Sequence, residues 1–453
     1  MSARQTIFAP ASAAGKAGVA VIRISGPAAR ETLRQLTGRD APAPRMAMRA
    51  RFVDASGTVI DDGLALFFPA PNSFTGEDVA ELHVHGSRAV LAALIATLGR
   101  MPGLRLAEPG EFTRRAFDAG KLDLAQVEGL ADLIAAETEA QRRQARRQLD
   151  GALGALAETW RARLTRMLAY AEAEIDFPDE DLPGGLIAGL GADIDLLAAE
   201  IRAQLADTRG ERLREGLSIA IVGPPNAGKS SLLNALARRE AAIVSATAGT
   251  TRDVIEVQMD LAGYPVSLAD TAGLRELPAA ADGHAAIESE GIRRALARAE
   301  AADLKLLVLD ATAGEPDESV TALIDANTLV VLNKIDAAPH AQPIVAGHAW
   351  RLSVKTGAGM ADLLTALTME VEKRLAGRDD TAPLITRARH RAALEDCVAA
   401  LERAHRAAAS GTAEPELLAE DLRLAARALG RITGRVGVED ILDVVFREFC
   451  IGK

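Results

Sequence analysis

Hydrophobic and polar positions give the chain three successive textures. Over residues 1 to about 118, short apolar runs predict strands at VAVIRIS (19–25), LALFF (64–68) and VAELHVH (79–85). SRAVLAALIATL (87–98) spaces its apolar residues as a helix does, and APAP (41–44) reads as a linker or turn. From Lys121 the period changes. Leu149, Leu153, Leu156, Trp160, Leu164 and Met167 recur every three or four residues and predict a long helix of a bundle. Prolines and glycines in IDFPDEDLPGG (175–185) stop it, and a second helix is expected from about Asp193 to Thr208.

From Leu217 the strands return: LSIAIVG (217–223), VIEVQMDL (254–261), YPVSLAD (264–270), LKLLVLD (304–310) and TLVVLN (328–333). Helical segments alternate with most of them, which predicts a parallel sheet covered by helices. From about Pro383 the chain is helical again, and it ends in FCIGK (449–453). Helical stretches on both sides of the α/β region suggest that it is inserted into one helical domain. There are no internal repeats and no low-complexity tracts.

Composition narrows the class. A chain of 453 residues suggests about three domains. Hydrophobic residues at 49% and charged residues at 25% are ordinary globular values, so a disordered chain is excluded. Two cysteines, Cys397 and Cys450, exclude a disulfide scaffold. No apolar run approaches ~18 residues, so no membrane span is expected. The first residues lack the basic and apolar blocks of a secretory signal, and a cytoplasmic location is expected. The net charge of −11 leaves no global basic field, so any RNA contact needs a local patch or a partner. Aromatics at 3% make base-stacking platforms sparse.

The chemistry lies in the third texture. GPPNAGKS (223–230) fits G-x-x-x-x-G-K-[ST], follows an apolar strand and opens the helix SSLLNALARR. That context distinguishes a phosphate loop from a glycine-rich turn. Asn226, Ala227, Gly228, Lys229, Ser230 and Ser231 are the expected phosphate contacts. Lys229 neutralises the β- and γ-phosphates and Ser230 ligates Mg²⁺. Thr251 in TAGTTRD (247–253) offers a second Mg²⁺ ligand, with further nucleotide contacts expected from Ser245, Ala246, Thr247, Ala248, Gly249 and Thr250. DTAG (270–273) ends a strand with Asp270 near the metal, Thr271 and Ala272 following, and Gly273 near the γ-phosphate. NKID (333–336) ends another strand at the edge where such sheets bind ligands. Asp336 can accept hydrogen bonds from guanine N1–H and the 2-amino group, which adenine does not offer in that arrangement. With Asn333 and Lys334 before it, and Ser353, Val354 and Lys355 cradling the base, the expected ligand is GTP. The residue after DTAG, Leu274, cannot orient a water molecule. Asn226 can hold a monovalent cation through its side-chain carbonyl, or it can simply stabilise its own turn.

Together these stretches resemble the MnmE (TrmE) family of tRNA modification GTPases. The resemblance covers nearly the whole chain and rests on IRISGPAAR (22–30), PNSFTGEDVAELHVHG (71–86), PGEFTRRAF (109–117), KLDLAQVEGLADLI (121–134), IDFPDED (175–181), REGLSIAIVGPPNAGKSSLLNAL (214–236), AGTTRD (248–253), DTAGLRE (270–276) and FCIGK. It implies an N-terminal α+β domain over residues 1–119 that binds a one-carbon folate such as 5-formyltetrahydrofolate and mediates homodimerisation. It implies a helical domain over 120–213 and 379–453, holding an inserted Ras-like G domain with a mostly parallel sheet over 214–378. The implied activity is a K⁺-activated GTP hydrolase that works with the FAD-dependent partner MnmG (GidA). Together they place an aminomethyl-type group on carbon 5 of the wobble uridine in certain tRNAs, GTP hydrolysis driving conformational change.

Carried onto this sequence, the resemblance makes Asn226, Ser245, Thr247 and Thr250 the K⁺ ligands. It makes Glu288 the water-orienting residue, with Glu290 a competitor because LPAAADGHAAIESEG (277–291) is longer than the family pattern. Arg23, Glu81, Lys121 and Lys453 match folate-contacting positions; without the resemblance they read as surface charges or salt bridges. Cys450 is a catalytic candidate as nucleophile or proton carrier, against the alternative of a small buried hydrophobe. Arg142, Arg143, Arg146 and Arg147 either meet tRNA phosphates or form a solvated helix face. Two other functions compete: a regulatory GTPase in ribosome assembly, which usually carries an added basic RNA-binding domain, and a folate-binding module with a degenerate GTPase, against which the intact motif residues argue.

Overall fold

The computed structural model describes residues 5–176, 186–239, 256–270, 300–314, 316, 318–341, 348–376, 383–410, 415–436, 442, 445–446, 449 and 452. The chain begins with β1 (Thr6–Pro10), β2 (Ala17–Ser25), α1 (Ala29–Thr37), β3 (Met48–Val53), β4 (Val59–Phe68), β5 (Val79–Gly86), α2 (Arg88–Gly99), β6 (Leu104–Leu106) and α3 (Glu111–Asp118). Then come α4 (Leu124–Ala135), α5 (Glu139–Leu149), α6 (Ala152–Asp176), α7 (Leu186–Leu205) and α8 (Arg209–Glu215). The remainder is β7 (Leu217–Val222), α9 (Lys229–Arg239), β8 (Glu256–Leu261), β9 (Tyr264–Asp270), β10 (Leu304–Asp310), α10 (Glu318–Thr321), β11 (Thr328–Asn333), β12 (Ala349–Arg351), α11 (Met360–Leu375), α12 (Ala388–Ser410) and α13 (Pro415–Thr433). They form two compact units. One takes Met1–Ala131, Gln148–Ala198 and Ala393–Lys453; the other takes Asp132–Arg147 and Ala199–Ala392.

The first unit contains a six-stranded sheet in the order β3-β4-β5-β2-β1-β6, antiparallel except for β1 with β6. Period-two alternation in β2 and β5 sends Ile22, Ile24, Ala80, Leu82 and Val84 into a core with Leu33 and Leu36 of α1 and Leu94 and Leu98 of α2. The same alternation turns Arg23 and Glu81 to the opposite face, directly across from each other. LALFF proves to be the end of a strand that starts at Val59. TIFAP and MRARFV also form strands, β1 and β3, which are too short or too polar to announce themselves by pattern.

The helical stripe is interrupted where periodicity did not show it. Leu149 ends α5, Gly151 adopts φ +86°, and α6 starts afresh at Ala152. On α6 the buried side chains include Leu153, Ala157, Trp160, Leu164 and Met167, and Leu156 is only half-buried. Its main partner is α13, from the far end of the chain. Glu172–Arg423 and Glu158–Arg435 ion pairs, at 3.0 and 3.3 Å, border that pairing. Helical stretches from both sides of the second sheet in sequence therefore pack together. The break at 177–185 lies outside the described residues.

The second unit contains a sheet in the order β12-β11-β10-β7-β9-β8. Five strands are parallel. Both faces of the central strands are covered: Ile219, Ile221, Leu306 and Val308 point into one core, and Ala220, Val222, Leu307 and Leu309 into another. The sheet is mostly parallel, as expected, and departs from that at one edge. β8 runs antiparallel to β9 because a two-residue turn joins them. Ala262 and Gly263 both have positive φ, +53° and +87°, the conformation that matches a tight hairpin to the twist of its strands. Helix α5 packs in this unit: Ala140 is buried, and its N–H donates to the Gly263 carbonyl at 3.0 Å.

Candidate functional site

The phosphate loop joins β7 to α9, and its two end glycines sit where no side chain fits. A Cβ on Gly223, at φ +139°, would lie 2.2 Å from the Val308 carbonyl oxygen. A Cβ on Gly228, at φ +95°, would lie 2.4 Å from Asn333 Nδ2. Lys229, Ser230 and Ser231 form the first turn of α9, the end of a helix at which the dipole favours an anion. The Lys229 ammonium donates to the carbonyls of Gly223 and Pro224 at 2.9 and 2.8 Å, so it lies folded over the loop.

Asn333 ties three motifs together. Its Nδ2 donates to the Ala227 carbonyl at 2.9 Å, and its Oδ1 accepts from the N–H groups of Lys334 and Val354 at 2.8 and 3.2 Å. One buried amide therefore holds the phosphate loop, NKID and SVK at the same edge of the sheet. The Lys334 ammonium donates to the Asn226 carbonyl at 2.7 Å and to Asp310 Oδ2 at 2.6 Å. Asp336 is exposed, and the buried Ser353 hydroxyl donates to its Oδ1 at 2.6 Å. That bond, with the Thr356 N–H donating to Ser353 Oγ at 3.2 Å, fixes the carboxylate that would read the base. Lys355 is exposed beside it. Asp270 ends β9 in register with Ile221.

The structure thus brings Asn226 to Ser231, Asn333, Lys334, Asp336 and Ser353 to Lys355 to one edge. Ser245, Ala246, Thr247, Ala248, Gly249, Thr250, Thr251, Thr271, Ala272, Gly273, Glu288 and Glu290 lie outside the described residues. Of the expected Mg²⁺ ligands, Ser230 stands at the helix N-terminus, as phosphate-bound Mg²⁺ requires. Of the expected K⁺ ligands, Asn226 is exposed at φ +62°, and among the described residues its side chain makes no hydrogen bond. Among the described residues no cluster of three or more His, Cys, Asp or Glu suits a metal.

A second candidate site lies on the first sheet. Arg23 Nε and Nη2 each stand 3.0 Å from Glu81 Oε1, and the guanidinium lies 5.5 Å from the Phe74 ring centre and 5.9 Å from that of Phe112. The salt bridge anticipated for these residues is present. Lys121 is exposed, and its Cε lies 3.6 Å from where a Gly76 side chain would start. Arg23 and Lys121 therefore flank the same loop, 70–78. Its seating comes from a buried polar set that sequence reasoning did not single out. Ser25 Oγ bonds Thr75 Oγ1 at 2.7 Å and Glu77 Oε2 at 2.9 Å, and Arg115, 4% exposed, donates to Glu77 at 2.8 Å and Glu111 at 3.0 Å. The TRR run of PGEFTRRAF held the available signal, since a buried arginine must find carboxylates. Cys450 and Lys453 lie outside the described residues. On α5, Arg142 pairs closely with Glu139 at 2.7 Å and Arg143 loosely at 3.8 Å. Among the described residues no helix is long and apolar enough to cross a membrane.

Comparison with known proteins adds a family. The model of the GTP-binding protein TrmE N-terminus matches residues 6–121, and that of the MnmE helical domain matches residues 124–450. A protein of Parvibaculum lavamentivorans named tRNA modification GTPase MnmE is 61% identical over 451 residues, covering 99% of this chain and 100% of that one. A protein of the same name from Paramagnetospirillum magneticum is 56% identical over 458 residues, covering 99% and 100%.

Proposed function

This chain belongs to the MnmE family of tRNA modification GTPases and is a GTP hydrolase, and from that premise we propose the rest of its activity. It acts on tRNA as a homodimer with the FAD-dependent partner MnmG, in the cytoplasm, and modifies carbon 5 of the wobble uridine. The one-carbon unit comes from a tetrahydrofolate held by Arg23, Glu81, Lys121 and Lys453, with Cys450 of the terminal FCIGK close to the reacting carbon.

GTP binds along the sheet edge. Asp336, oriented by Ser353, accepts the guanine N–H groups, and Lys229 leaves its two loop carbonyls for the β- and γ-phosphates. Glu288 orients the attacking water. Ser230 and Thr251 would hold Mg²⁺, and Asn226, Ser245, Thr247 and Thr250 would hold K⁺, ions that would supply the positive charge phosphoryl transfer needs. The residues of this chain supply the rest by holding the phosphates still and the water in line.

The observation that carries the reading is the 61% identity over essentially the whole length of a named relative, on a chain whose Asn333 joins the phosphate loop, NKID and SVK. Mass spectrometry of tRNA nucleosides from a strain lacking this protein tests it. Loss of the wobble uridine modification is expected; an unchanged profile overturns the reading and leaves ribosome assembly as the alternative.

A further inference from the structure

The Lys334 ammonium is held at two points: by Asp310, the last residue of β10, and by the carbonyl of Asn226 in the phosphate loop. Asp310 is itself oriented. Its Oδ1 accepts from the Thr312 N–H at 2.9 Å and from the Thr312 hydroxyl at 2.7 Å, which leaves Oδ2 aimed at the lysine. Lys334 itself and Asn226 both have backbones that side chains rarely adopt: φ is +67° at Lys334 and +62° at Asn226. Such conformations cost free energy and persist only where surrounding contacts over-determine them. Here one contact set fixes both. Asp310 also keeps its charge. Its burial works against ionisation, yet hydrogen bonds from Lys334 and Thr312 hold the carboxyl below its ordinary value.

We propose that Asp310 is a positioning residue for guanine nucleotide binding: through Lys334 it locks the base-reading strand end to the phosphate loop. It touches no nucleotide. It fixes where the Lys334 stem and the Asn226 backbone stand before GTP arrives, so GTP need not order them on binding. This rests on the reading of this sheet edge as the GTP site. The effect belongs to GTP and GDP equally, because both carry the base and the β-phosphate.

The test uses the full chain and the affinity for a fluorescent GDP, with kcat and KM for GTP. Asp310→Asn keeps the shape and loses the charge. A charge-assisted hydrogen bond contributes on the order of tenfold in affinity. GDP should therefore bind about tenfold more weakly and KM should rise by a similar factor, while kcat changes by less than about twofold. Lys334→Ala should weaken binding too, and adding Asp310→Asn to it should cost nothing more, since the two act as a unit. Unfolding of the nucleotide-free proteins guards against a merely structural loss. A weakening of GDP binding that appears only with a matching loss of apo stability, or that adds fully to Lys334→Ala, overturns the positioning role. So does unchanged affinity in Asp310→Asn when Asp336→Asn has lost GDP binding. If Asp336→Asn also binds GDP normally, the reading of the site itself fails.

Discussion

A β-carbon on Gly228 would stand 2.4 Å from the Nδ2 of Asn333, so the second glycine of the phosphate loop and the first residue of NKID are fitted to each other. The fit explains why the loop needs glycine there for two reasons at once, the positive φ of +95° and the missing side chain. Gly228→Ala should push Asn333 off the Ala227 carbonyl and disturb phosphate and base recognition together. Strain of this kind costs about 1–3 kcal/mol, or roughly 10- to 100-fold in nucleotide affinity. Titration with a fluorescent GDP checks it, and near-normal affinity in the variant would show that the amide can step aside.

Base specificity should reside in Asp336. Asp336→Asn turns an acceptor into a donor and should cost about 10³-fold or more in GTP affinity while favouring xanthosine triphosphate. Ser353→Ala, which removes the 2.6 Å hydrogen bond to Asp336, should weaken GTP binding without switching the base preference. Competition between the two triphosphates decides the matter; a variant that keeps its preference for GTP removes Asp336 as the reader.

The exposed side chain of Asn226 in the phosphate loop predicts a dependence on the monovalent cation. K⁺ should stimulate hydrolysis more than Na⁺ at matched ionic strength, and Asn226→Ala should erase the difference while Mg²⁺–GTP binding persists. Equal wild-type turnover in KCl and NaCl would falsify a cation role for this residue.

In the proposed folate site, Arg23→Ala removes a guanidinium that Glu81 and two rings hold in place. Loss of its charge-assisted contacts should weaken 5-formyltetrahydrofolate by roughly 10- to 100-fold. Nucleotide binding should be untouched, because the two sites lie in different compact units. Isothermal calorimetry with the folate measures the first, and folate affinity at the wild-type level would take Arg23 out of the site.

Stability should show an acid step traceable to one ion pair. Lys305 is buried on the central strand β10, and its ammonium lies 2.7 Å from Asp325. Hydrogen bonds from Lys305 and Thr328 bring the Asp325 carboxyl down from 3.8 to about 2. A carboxyl lowered on folding stabilises the protein above its unfolded value and loses that contribution as pH falls through the folded one. The window is therefore from about pH 4 down to about pH 2. Asp325→Asn should remove this step. At neutral pH it should cost about 1–2 kcal/mol, a figure reduced because the carboxylate is half exposed. Urea unfolding of wild type and variant across that range tests both; parallel pH curves would assign the acid sensitivity elsewhere.

What could be read from the sequence follows from where the information is local. The phosphate loop, NKID and SVK are runs of adjacent residues whose chemistry travels with them, and the structure gathers their residues at one edge. The strands of the second sheet were legible because double-sided burial leaves continuous apolar runs such as LKLLVLD. β1 and β3 were not, because their short segments gain their burial from neighbours rather than from their own pattern. The antiparallel β8 turned on two residues, Ala262 and Gly263, whose turn conformation no apolar periodicity encodes. Asp310 and Arg115 escaped for another reason. Each acts through partners tens of residues away, and a lone charged residue reads the same on a surface as in a network.

The pairing of α6 with α13 sets an order of events at the ribosome. The apolar stripe of α6 is complete once Ala171 has emerged, but α13 is not made until all of Ala199–Ala392 has passed. The nucleotide-binding unit has every strand it needs before then, while Leu153, Trp160, Leu164 and Met167 still await their main partner. A nascent chain of this protein therefore carries this helix without its main partner for the whole time its GTPase is being synthesised and closed. That interval is when a chaperone, or a premature stop, meets a sticky surface.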